Sequence, residues 1–63
     1  MTADELAETM DWADPKQLRG LIRLSVKQRT WNDDSADAFV TMAQDAGVKL
    51  QDAIKILDEE LST

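Results

Sequence analysis

Apolar residues recur at helical spacing in four stretches of this 63-residue chain, set apart by short polar runs, and nowhere alternate as a strand requires. The pattern predicts an all-α fold: a small bundle of three to four short helices, or a pair of hairpins, in one domain over residues 1–63. The first stretch is Ala3, Leu6, Ala7 and Met10, a narrow stripe on a helix from Ala3 to about Trp12. Thr2 and Glu5 have the spacing of a capping box there, and Asp4 and Glu5 suit the positive end of the helix dipole. Asp14-Pro15 marks the second start, because Asp caps well, Pro in the first turn loses no needed hydrogen bond, and Gln17 can reach back to the cap.

That second helix is expected to run to about Thr30 and to break in Trp31-Asn32-Asp33-Asp34-Ser35, whose short polar residues also suit the next start. The third stripe is Ala36, Phe39, Val40, Ala43 and Ala46, with Gly47 placed for a left-handed stop and Val48 expected to fold back on the last turn. The fourth helix, about Lys49 to Leu61, shows Leu50, Ala53, Ile54, Leu57 and Leu61 as the best core stripe, with Ile56 off it and expected at the surface. Asp58, Glu59 and Glu60 have the wrong sign for a helix C-terminus, so a cationic neighbour is needed, and the second helix is the obvious one.

The second helix is apolar over an unusually broad arc. Leu18, Ile22 and Val26 form one ridge, and Leu21, Leu24 and Trp31 a second, roughly 100° away. One neighbour cannot cover both. Either this helix lies centrally between two others, or its second ridge meets a partner or a second copy of the chain. Lys16, Arg19, Arg23 and Lys27 line up as a basic stripe on its remaining face. Leu21, Leu24, Trp31, Lys16, Arg19, Arg23 and Lys27 are therefore the candidate partner-binding residues. Gly20, costly inside a helix, implies a close approach by a neighbouring helix or a ligand backbone. Trp12 is expected in the core, while Trp31 is balanced between core and interface.

Charge is segregated along the chain. Residues 1–15 hold five acids, Lys16 to Trp31 hold five basic residues and no acid, and the rest hold eight acids against Lys49 and Lys55, giving −5, +5 and −6 and a total of −6. Such a middle is either a binding face or a solvated face neutralised by the acidic flanks. A chain this short buries only about 60% of its unfolded surface. With no Cys and no His it has neither a disulfide nor a zinc site to staple it, so self-association or a partner is the support left, and a homo-oligomer is expected. The missing Cys suits a reducing cytoplasm. No apolar run could cross a bilayer and the N-terminus has no signal-peptide pattern, which predicts a cytoplasmic protein without a membrane partner.

The residues for most chemistry are missing. Without His, Cys or Tyr, and with Ser25, Ser35 and Ser62 lacking any partner base at motif spacing, no enzyme and no cofactor are expected. Read as a calcium loop from Asp33, the sixth position is Ala38 and the twelfth Gln44, where Gly and Glu are required. The leading expectation is a noncatalytic protein-binding module, a small adaptor, inhibitor or regulator, acting through the apolar and basic helix on another protein. Nucleic acid ranks second as partner: a helix-turn-helix with its turn at Met10 to Asp14 would offer Lys16, Gln17, Arg19 and Arg23 to a groove. The alternative turn at Gly47 leads into a helix whose acids phosphates would repel. A third reading makes the acidic flanks a mimic of nucleic-acid phosphates that blocks a DNA- or RNA-binding protein.

Overall fold

The computed structural model describes residues 1–62 and holds four helices, α1 (Ala3–Thr9), α2 (Pro15–Lys27), α3 (Asp33–Asp45) and α4 (Leu50–Leu61), with no strand among the described residues. Three of the four start on a side chain that takes up a first-turn N–H group. Thr2 Oγ1 accepts from the Glu5 N–H at 3.2 Å and Asp14 Oδ1 from the Lys16 N–H at 3.0 Å. Asn32 and Ser35 cap each other reciprocally at the start of α3. The fourth helix begins after Lys49, which makes no side-chain cap.

Two helices end earlier than their patterns predict. Asp11 stops α1 at Thr9 rather than Trp12: its N–H donates to Gln17 Oε1 at 2.8 Å and its Oδ1 accepts from the Ala13 N–H at 2.9 Å, so the chain turns on side-chain partners. The indole of Trp12 then donates to the Ala7 carbonyl at 2.9 Å and closes the last turn. The second helix ends at Lys27 rather than Thr30, because Arg29 takes a left-handed φ of 61°. Behind it the Thr30 N–H reaches the Ser25 carbonyl at 2.9 Å and the Arg29 N–H reaches Val26 at 3.1 Å, the pair of bonds that defines a Schellman stop. The same closure ends α3, where Gly47 has φ 100° and the Val48 N–H donates to the Ala43 carbonyl at 2.9 Å.

The packing makes two hairpins. Helix α1 lies on α2, α3 lies on α4, and the contact of α2 with α4 joins the pairs. Helix α2 therefore sits between two neighbours, and Leu18, Leu21 and Ile22 from its two ridges are buried together with Phe39, Ala43 and Ala53. Gly20 does not serve close packing as its position suggested: no neighbouring helix comes within 4 Å of where a methyl group would sit.

The fourth helix is rotated from its expected setting. Ile56, predicted at the surface, is only 4% exposed, whereas Leu50, Ile54 and Leu61 of the predicted stripe are 48%, 44% and 45% exposed. The buried arc is Ala53, Ile56, Leu57 and, on the same side, the half-buried Glu60. Two constraints set that arc: α4 must face both α2 and α3, and the arginines of α2 draw Glu59 and Glu60 towards them.

Candidate functional site

The backbones of α1 and α3 never meet, with no Cα of one within 8 Å of the other. A groove of about 570 Å³ runs between them. Small residues face it from both sides: Ala3 and Ala7 from α1, Ala38 from α3. Buried Leu21 and Phe39 form its base. Trp12 and Trp31 both lie against Phe39, with ring centroids 6.0 Å and 6.3 Å away and tilted or edge-on geometry, as the ring quadrupoles favour. Met42, 43% exposed, completes the apolar lining.

One amide ties the start of the α1 wall to the end of α2. Gln28 Oε1 accepts from the Ala3 N–H at 3.0 Å, and its Nε2 donates to the Met1 carbonyl at 3.0 Å. These two bonds satisfy backbone groups that precede the first full turn and tie them to the end of α2. Two of the three hydroxyls along the groove are engaged: Thr30 Oγ1 donates to the Ser25 carbonyl at 3.3 Å, and Ser35 Oγ belongs to the Asn32 cap. Asp4 and Glu8 are the charged residues of the lining, and both are acidic.

The structure divides the residues singled out from the sequence. Leu21 and Trp31 line the groove, with Leu21 turned into the core and Trp31 half-buried. Leu24 is half-buried against the core and lies outside the lining. Lys16 and Lys27 are exposed. Arg19 and Arg23 are engaged by α4. Arg19 Nη1 lies 2.7 Å from Glu59 and 3.7 Å from Glu60, while Arg23 holds Glu60 through Nη2 at 2.9 Å and Nε at 3.0 Å. The Arg23 hydrogen bond, helped by the charges of both arginines, keeps the Glu60 carboxyl below its ordinary value of 4.5 even though desolvation opposes it.

Trp12, Phe39, Met42, Asp4 and Glu8 are groove residues that sequence reasoning did not place there. The signal available was the abundance of alanine on the facing sides of α1 and α3, which leaves room that larger residues would fill. A second cleft, of about 460 Å³ and lined by Arg19, Lys49, Lys55, Asp52 and Glu59, has mixed charge. Among the described residues no group of three or more His, Cys, Asp or Glu could hold a metal ion, and no helix is long and apolar enough to cross a membrane.

No protein-family model matches this chain, and neither a curated protein nor a solved structure matches it.

Proposed function

We propose that the protein is a noncatalytic protein-binding module, a small adaptor, inhibitor or regulator, whose binding surface is the groove between α1 and α3. The observation that carries this reading is the lining: two half-buried tryptophans, Phe39 and an exposed methionine around an open apolar trough, on a domain too small to leave such surface uncovered without cost. Leu21 and Trp31 are the members of the expected partner-binding set that belong to it. The nucleic-acid reading loses ground, because Arg19 and Arg23, on which a groove-reading α2 would depend, are committed to Glu59 and Glu60.

The test is capture from an extract of the source cells with wild type and with a double variant, Ala38→Gln with Met42→Gln. Both positions are exposed on α3, so helicity should survive while the apolar wall becomes polar. A partner retained by wild type and lost from the variant supports the module. Identical retention by both proteins removes the groove from the reading.

Self-association belongs on another face. Leu50, Ile54, Leu57 and Leu61 have the 4-3-4 spacing of a coiled-coil seam, and three of the four are uncovered. Ile54→Lys with Leu61→Lys should abolish any dimer seen by sedimentation at several concentrations, and a dimer that survives the pair lies elsewhere.

A further inference from the structure

We infer that the occupant of the groove is a cationic amphipathic helix of a partner protein, seated with its apolar face on Phe39, Trp12 and Trp31 and its basic flank over Asp4 and Glu8. This inference rests on the protein-binding reading above and specifies the partner's chemistry. Three observations carry it.

The first is charge. Asp4 and Glu8 are the charged groups of the lining, and the chain as a whole stands at −6, so both the rim and the far field favour a basic segment. The second is the supply of hydrogen bonds. Both walls are helices whose mid-helix backbone groups are paired internally, the Ala3 and Glu5 N–H groups are taken up by Gln28 and Thr2, the Thr30 and Ser35 hydroxyls are engaged, and the Trp12 indole is committed to Ala7. An extended peptide laid there would bury backbone N–H and carbonyl groups without partners, whereas a helix brings its own backbone already satisfied. This all-α chain has no sheet edge among its described residues to offer an extended strand instead. The third is exclusion of a second copy. A second copy carries the same net charge of −6, so seating one on this acidic rim would bring like charge to like, which complementary interfaces avoid.

The probe is a tryptophan-free synthetic peptide of leucine and lysine in an amphipathic helical pattern, with a glutamate-for-lysine version as its control. The protein carries two tryptophans, Trp12 and Trp31, and both line the groove, so their fluorescence reports occupancy directly. The lysine peptide should shift the emission saturably and the glutamate peptide should not. Asp4→Asn with Glu8→Gln should weaken binding about three- to tenfold at low salt, the scale of two rim ion pairs, whereas Asp52→Asn with Asp58→Asn removes the same charge from α4 and should change it less than about twofold. Equal weakening by the two pairs would show attraction by net charge alone and overturn the inference. An unchanged emission overturns it as well. If the glutamine variant of Ala38 and Met42 loses a captured partner while wild type ignores the lysine peptide, the module stands and this occupant is wrong.

Discussion

Arg23 holds Glu60 with two nitrogens, Nε on Oε2 at 3.0 Å and Nη2 on Oε1 at 2.9 Å, and this fork lies on the side of α4 that buries Ala53, Ile56 and Leu57. Planar guanidinium groups meet carboxylates in this way with both charge and geometry, which a single lysine cannot reproduce. The Glu60 side chain is only 5% exposed although it sits among three consecutive acids near a helix end.

The pH dependence follows from that pair. A carboxyl whose folded value lies below its unfolded one contributes stability that is fully present above the unfolded value of 4.5 and is lost as pH falls through the folded value. Urea denaturation of wild type and Glu60→Gln should therefore show wild type the more stable at neutral pH, with the gap narrowing on acidification below about pH 5. A gap that stays constant down to about pH 3 would mean that the charge of Glu60 contributes nothing to folding.

Arg29 occupies a conformation that suits glycine. Its φ of 61° places a side chain where the left-handed region disfavours one, while Gly47 fills the equivalent position after α3. Arg29→Gly should raise stability by about 0.5–1 kcal/mol, and Gly47→Ala should lower it by about the same amount, both read from urea midpoints at constant m. A loss of stability in Arg29→Gly would show that the arginine makes a contact worth more than the strain.

Gly20 offers a cleaner gain. It lies inside α2, and an added methyl meets open space. Gly20→Ala is expected to stabilise by about 1 kcal/mol through helix propensity alone. Thermal unfolding followed by circular dichroism tests this, and a lower midpoint would mean that the space is needed.

Phe39 is the piece that the two tryptophans share. It is nearly fully buried, and both indoles lie against its ring. Phe39→Ala removes about 3–5 kcal/mol, comparable with the whole stability expected of so small a core. Near-ultraviolet dichroism should collapse in this variant, whereas Trp31→Ala, at a half-buried position, should retain a cooperative transition.

How much was legible in the sequence depended on how local each cause is. Caps, the Asp14-Pro15 start and the Gly47 stop are decided within a few residues, and they appear where the pattern placed them. The neutralising contact between the basic helix and Glu59-Glu60 was also readable, because acids at a helix C-terminus call for a cation and α2 holds most of those available. The rotation of α4 was not. Its apolar residues cover more of the circumference than two neighbours can bury, so periodicity alone could not decide whether Leu50 and Ile54 or Ile56 would face inward. Arg29 gave no glycine to mark its turn, and Asp11 stopped α1 through bonds to Gln17 and Ala13 that periodicity does not show. The groove lay furthest from view, since it depends on which helices fail to touch.

The two sides of that trough are seated unequally. One jaw packs on α4, while the other, only seven residues long, rests on α2 through Ala3, Leu6 and Met10 and through the Gln28 carboxamide and the Trp12 indole. Of the two walls, α1 is the shorter and has the smaller contact with its neighbour, so it is the one expected to open first in native-state hydrogen exchange.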